Sequence, residues 1–124
     1  MNSDYKGRKK WIGLSNAFNG VKAAFQEERN LRIHGVIGFT AIILGLILRI
    51  SPLEWTALIL TIALVITLEM INSSIERVMN YLAPEVHPLI GAIKDIAAGA
   101  VLIAAISSII IGFIIFIPKI MVMF

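Results

Sequence analysis

Residues 55–76 read Trp-Thr-Ala-Leu-Ile-Leu-Thr-Ile-Ala-Leu-Val-Ile-Thr-Leu-Glu-Met-Ile-Asn-Ser-Ser-Ile-Glu. Fourteen residues, Trp55 to Leu68, are almost entirely apolar, and then Glu69 interrupts what otherwise reads as a membrane-spanning helix. Glu69, Asn72, Ser73 and Glu76 follow at offsets of 0, 3, 4 and 7. At about 100° per residue these four side chains share one helix face. A carboxylate in or near hydrocarbon costs at least about 3 kcal/mol, and intramembrane ionisable groups are usually functional. The face is therefore expected to carry chemistry.

Working outward, the same helix should continue to about Asn80 or Leu82, where Ala83-Pro84 ends it. On its other side Ser51-Pro52 breaks the chain, and Glu54-Trp55 opens the helix with an interfacial Trp. Before that break, Gly35–Leu48 is uninterrupted and apolar, with His34 and Arg49 at its two ends; Arg49 can snorkel outward. After the 84–88 loop, Lys94-Asp95 should begin a third span, Ile96 to Ile117 carries no charge, and Pro118-Lys119 should mark its far end. Near the N-terminus, Leu14, Phe18, Val21 and Phe25 recur at helical spacing with Asn16, Asn19, Lys22 and Gln26 between them. That is an amphipathic helix with a basic side, expected to lie along the membrane surface. The predicted fold is an all-α membrane protein in a single domain, residues 1–124. It has a surface helix at about 14–30 and transmembrane spans at about 34–50, 55–80 and 95–117.

Composition agrees. Of 124 residues, 58% are hydrophobic, and the mean hydropathy is +0.88. This exceeds what a soluble domain of this size carries, and the excess lies in blocks. There are no cysteines, so disulfide and thiolate chemistry are excluded. Residues 1–32 hold seven basic and three acidic side chains, a local balance of +4. Nucleic-acid binding would need more interleaved aromatics, and the rest of the chain is built for a bilayer, so no nucleic-acid partner is expected. No apolar stretch directly follows the first charges, so a cleaved signal is not expected. The charge bias instead puts the N-terminus inside, the Ser51-Pro52 turn outside, the 77–95 loop inside and the C-terminus outside.

On that topology Glu28, Glu69, Asn72, Glu76, Lys94 and Asp95 converge at the cytoplasmic boundary. Four carboxylates, an amide and a Lys at one depth suit a divalent cation with bound phosphate. Magnesium takes oxygen ligands and is commonly held by one or two carboxylates plus nucleotide phosphates. Lys94 would supply a point charge, and Glu69 suits a general base acting on an alcohol. Blander readings stand beside these: Lys94-Asp95 as a helix-start ion pair, Glu76-Arg77 as an exposed turn, Glu85 and His87 as ordinary loop residues. Glu69 and Asn72 resist such readings because of their depth. No glycine-rich phosphate loop is present, so any nucleotide must be held by side chains and metal.

Three blocks in order resemble the small bacterial diacylglycerol kinase family, three-span membrane enzymes with an undecaprenol kinase branch. They are Glu28-Arg29-Asn30-x-Arg32-x-His34, Glu69-x-x-Asn72-Ser73-x-x-Glu76, and Lys94-Asp95-x-Ala97-Ala98-Gly99-Ala100-Val101. The first block and the Ala-Ala-Gly-Ala-Val tail are more similar to the Gram-positive undecaprenol kinase branch. The resemblance implies transfer of the γ-phosphoryl of ATP to a membrane lipid alcohol at the cytoplasmic face of the bacterial cell membrane. Undecaprenol is then the expected acceptor and diacylglycerol the alternative. It implies Glu69 as catalytic base and Glu28 and Glu76 as magnesium ligands. Glu28, Glu76, Glu85, His87, Lys94 and Asp95 would contact ATP, and Arg32, Trp55, Glu69 and Asn72 the lipid. It also implies a homotrimer with shared sites, which small residues on the third span (Ala97, Ala98, Gly99, Ala100, Ala104, Ala105) would permit. In one departure, Asn80 stands where the family usually has Asp. A non-catalytic channel or assembly subunit is the reading of another class. The apolar run from Trp55 to Leu68 argues against a pore.

Overall fold

The computed structural model describes residues 3–82 and 87–124, with side chains from residue 13 onward. The described residues form four helices in series: α1 (Ser3–Glu27), α2 (Arg29–Leu48), α3 (Pro52–Leu82) and α4 (Pro88–Met123). No strand occurs among the described residues. The helices α2, α3 and α4 are each long and apolar enough to cross a membrane, and α1 is not.

The helix limits follow local chemistry, and several differ from the sequence expectation. α1 begins at Ser3, well before residue 14, and stops at Glu27. Glu28 then takes an extended conformation (φ −103°, ψ 111°) and becomes the N-cap of α2. Arg32 Nη1 donates to the carbonyls of Phe25 and Gln26 at 3.1 and 2.7 Å, satisfying acceptors that the end of α1 leaves free. α2 ends where Arg49 adopts a left-handed conformation (φ 54°). α3 opens with a reciprocal cap. Ser51 N–H donates to Glu54 Oε1 at 2.9 Å, Glu54 N–H donates to Ser51 Oγ at 3.2 Å, and Pro52 takes the first helical position.

α4 starts at Pro88, so Lys94-Asp95 lies in its second turn instead of opening it. Proline suits a first turn because its missing N–H would be unpaired there anyway. At the other end the helix runs through Pro118 to Met123, so Pro118-Lys119 does not terminate it. In hydrocarbon a helix satisfies its own backbone groups, which favours continuing past the proline. Lys119 Nζ also reaches Glu54 Oε1 at 3.3 Å, fixing this last stretch to the start of α3.

α3 packs most extensively on α4 and next on α2. Gly38 and Gly45 let α2 approach closely: a Cβ on Gly38 would meet Ile62 at 3.1 Å, and one on Gly45 would meet Trp55 at 3.0 Å. Ile50, Leu58 and Ile115 form the core at that end, with Trp55 packed against them. Most other large apolar side chains on the spans face outward, as a lipid-solvated bundle requires. Leu14 and Phe18 on α1 are also exposed, an apolar stripe without protein cover. At 1.5 Å per residue α3 is about 46 Å long, against about 30 Å of hydrocarbon, so its far end projects beyond the apolar layer.

Candidate active site at the charged end of the bundle

The buried stripe of α3 is Leu58, Val65, Glu69 and Ser73. It begins apolar and ends polar without leaving the protein-facing side. The face inferred from spacing is therefore the packed face of α3, turned toward the α1–α2 elbow. Glu69 is 8% exposed and Ser73 7%. With Glu28, Asn30, Asn72 and Glu76 they line a cavity of about 50 Å³.

The elbow brings Glu28 to this cavity. Ser73 Oγ donates to Glu28 Oε1 at 2.6 Å, and Arg77 Nη2 donates to the same oxygen at 2.9 Å. Arg77 also pairs with Glu27 at 2.8 Å. These donors hold the Glu28 carboxyl below its usual value, the Ser73 hydrogen bond contributing most and Arg77 next. Both contacts fall on one oxygen, which leaves Glu28 Oε2 free of them. Asn72 Nδ2 donates to Glu76 Oε1 at 3.4 Å. Among the described residues two buried atoms have no hydrogen-bond partner: Glu69 Oε2 and Asn72 Oδ1. Such orphans cost about 1–3 kcal/mol each, and both line the same cavity.

In the second turn of α4, Lys94 Nζ donates to Asn80 Oδ1 at 2.6 Å. Asn80 lies one turn past Glu76, so Lys94 joins the same side of the site. Among the described residues Lys94 and Asp95 form no ion pair with each other, and Asp95 is exposed. His87 caps α4, its Nδ1 accepting from Leu89 N–H at 3.1 Å. That acceptor role leaves the ring proton to Nε2. Glu85 lies outside the described residues.

Arg32 and Trp55, both expected at the lipid, lie at different levels of the bundle. Arg32 is engaged at the α1 terminus. Trp55 sits fourteen residues from Glu69 along α3, about 21 Å by helical rise. The sequence reading missed Arg77, treated as an exposed turn, and the part Ser73 plays for Glu28. Their partners lie 45 and 49 residues away in the chain, beyond any local pattern.

A second cavity of about 430 Å³ runs between α2, α3 and α4. Its charged end is bounded by His34, Val65 and Ile66, the latter two one turn from Glu69; its other end reaches Leu44 and Ile120. The lining is almost wholly apolar. A buried carboxylate with an unpartnered oxygen thus stands beside a greasy groove.

Residues 15–116 match the family model described as prokaryotic diacylglycerol kinase. The chain belongs to that family. It is accordingly a lipid kinase, a phosphotransferase with an alcohol acceptor that uses ATP, and a multi-pass membrane protein. Over 104 residues it is 36% identical to the undecaprenol kinase of Bacillus subtilis, covering 84% of this chain and 85% of that one. It is 37% identical over 111 residues to a Synechocystis diacylglycerol kinase, covering 89% of this chain and 63% of the relative. The diacylglycerol kinase of Escherichia coli K12 is 34% identical over 94 residues, 76% of this chain and 77% of that one.

The oxygen donors suit a hard divalent cation such as magnesium. Among the described residues no three His, Cys, Asp or Glu side chains converge closely enough to hold a metal alone. The free Glu28 Oε2, Glu76 and the orphaned Asn72 Oδ1 instead offer part of a hard-oxygen shell. That is how magnesium is usually bound, with nucleotide phosphates completing the shell.

Proposed function

We propose that this lipid kinase phosphorylates undecaprenol, giving undecaprenyl phosphate, with ATP and magnesium. The observation that carries the reading is Glu69: buried, with Oε2 unpartnered, one turn from the end of an apolar groove. A lipid alcohol lying in the groove would bring its hydroxyl to that oxygen. Glu69 takes the hydroxyl proton as the alcohol oxygen bonds to the γ-phosphorus, the bond to the β-phosphate oxygen breaks, and ADP leaves. Glu28 and Glu76 hold the magnesium, which when bound neutralises charge on the phosphates. Ser73 and Arg77 hold Glu28 in place for that task. Lys94, Asp95, His87 and Glu85 contact the nucleotide. Asn72 and Arg32 stand near the lipid head, and Trp55 meets the far part of a long tail.

The basic N-terminal segment supports placing the N-terminus and the active site on the cytoplasmic side and the C-terminus outside. A homotrimer with shared sites accords with the open groove and with exposed Ala98 and Ala100 on α4, which admit close helix packing. Undecaprenol is favoured over diacylglycerol by the Bacillus subtilis relative, named undecaprenol kinase; the other relatives, named diacylglycerol kinase, make diacylglycerol the second reading.

The test is transfer of labelled phosphate from ATP to undecaprenol and diacylglycerol, run side by side with purified protein in detergent. Undecaprenol should be the better acceptor, and Glu69→Gln should abolish transfer to both while the oligomer persists. Full activity in Glu69→Gln would remove that residue from the role of base. Glu76→Gln should raise the magnesium requirement, and an unchanged magnesium titration would remove it from the metal site.

A further inference from the structure

Gly112 lies on α4 where that helix lines the apolar groove between α2, α3 and α4. A Cβ at Gly112 would meet nothing within 4 Å, whereas one on Gly38 would meet Ile62 at 3.1 Å. Of the described glycines that have no near neighbour, Gly112 alone lines this cavity. A glycine inside a helix is less favourable than alanine, and here no close helix contact offsets that. What the missing side chain supplies is room. The register of the helices fixes its depth. Lys94 reaches Asn80, Ile115 shares the core with Leu58, and Lys119 reaches Glu54. Helix α4 therefore runs antiparallel to α3, with Gly112 level with Thr61 and Ile62. By helical rise that is about 11 Å from the level of Glu69, into the hydrocarbon. Thr61 and Ser108 also line the groove, but their hydroxyls donate to carbonyls of their own helices at 2.6 and 2.7 Å, so carbon faces the space. An apolar cavity of about 150 Å³ takes up one benzene, so this one, of about 430 Å³, takes up a single chain of about seventeen carbon atoms.

We propose that Gly112 is a specificity-determining residue: the space left by its missing side chain admits the methyl branches of one isoprenyl chain, and so favours a prenyl alcohol over an alcohol with two straight acyl chains. The inference rests on the reading under Proposed function, in which the alcohol lies in the groove with its hydroxyl at Glu69. A prenyl chain carries a methyl branch on every isoprene unit and cannot narrow itself, whereas an unbranched chain is slimmer throughout. A chain that starts at Glu69 passes Gly112 within its first few isoprene units. The groove holds one chain, so the second acyl chain of a diacylglycerol must lie in the surrounding lipid, and the first needs less width.

The experiment compares the parent with Gly112→Ala, Gly112→Leu and Glu69→Gln, each as the full chain in detergent micelles with saturating ATP and magnesium. Undecaprenol and diacylglycerol are the acceptors. An added Cβ enters open space, so the contacts between helices are left in place. For undecaprenol, kcat/KM should fall about tenfold in Gly112→Leu and about threefold in Gly112→Ala, the scale on which methylenes in an apolar pocket discriminate. For diacylglycerol it should change by no more than about twofold, as should KM for ATP. The oligomer, read by sedimentation, should persist. A ratio of undecaprenol to diacylglycerol activity unchanged in both variants would overturn the proposal. So would an equal loss with both acceptors. Dissociation of the oligomer would also overturn it, by showing that the space receives a helix of a second copy. If Gly112→Leu does not fold, Gly112→Ala still reads the ratio. Glu69→Gln distinguishes the two levels of failure. If it keeps full activity, the placement of the alcohol at Glu69 is wrong. If it is inactive while the Gly112 variants keep the parent's ratio, only the role of Gly112 is wrong.

Discussion

Ser73 Oγ donates to Glu28 Oε1 at 2.6 Å, joining the middle of α3 to the break between α1 and α2. Glu28 is where the surface helix stops, and its extended backbone gives the side chain no helical neighbour of its own. The hydroxyl and the Arg77 guanidinium together fix a carboxylate that would otherwise swing on an elbow. Both hold one oxygen and leave the second free for a cation.

Ser73→Ala should therefore weaken the metal site without emptying the base position. Removing a hydrogen bond to a partly exposed charged acceptor costs about 1 kcal/mol, so the magnesium concentration for half-maximal activity should rise about fivefold. The magnesium titration, read against kcat at saturating metal, checks it. An unchanged midpoint would mean that Glu28 is positioned by Arg77 alone.

Acid should loosen the elbow. Ser73 and Arg77 lower the Glu28 carboxyl from its usual 4.5 in the folded protein. A group depressed on folding adds stability that is fully present above its unfolded value and is lost as pH falls through its folded one. Thermal stability in chelator-containing detergent should thus fall more steeply below about pH 4.5. Arg77→Met should reduce that acid dependence while leaving less stability at neutral pH. Equal slopes in the two proteins would show that other carboxylates dominate.

At the opposite end of the bundle, Arg49 holds a left-handed conformation that favours glycine. Arg49→Gly should relieve about 1 kcal/mol of backbone strain. The melting temperature in detergent should rise by a few degrees, and activity should be unaltered at this distance from Glu69. A lower melting temperature would show that the Arg49 side chain contributes more than its backbone costs.

Gly45 is set so that a Cβ would stand 3.0 Å from the Trp55 ring. Gly45→Leu should drive α2 from α3 and destabilise the bundle by about 1–3 kcal/mol, the usual scale of overpacking. Gly45→Ala should cost less, since a shift of a few tenths of an ångström admits a methyl group. Unfolding followed by Trp fluorescence measures both, and equal stability of all three proteins would contradict the close approach.

Much of this was legible in one dimension. Glu69, Asn72, Ser73 and Glu76 share a face because a helix repeats every 3.6 residues, and an intramembrane carboxylate declares itself against fourteen apolar residues. Spans could be located because lipid demands long apolar helices. Helix limits were less legible. Pro88 and Pro118 both look like breaks, yet one opens α4 and the other is carried inside it, because the energy of a proline depends on the turn in which it falls.

The sequence by itself determined the helical class, the three spans, the polar face of α3 and the residue types able to hold metal, phosphate and proton. Periodicity and solvent preference are local properties, so the order of residues suffices to express them. Only the tertiary structure decided that the polar face packs inward, that Ser73 and Arg77 reach across 45 and 49 residues to Glu28, and that Lys94 meets Asn80. It also set Arg32 at the end of α1 and Trp55 far from Glu69. A helix repeat says which side chains lie together on one cylinder, whereas the choice of facing cylinder comes from close packing at Gly38 and Gly45 and from the break at Glu28.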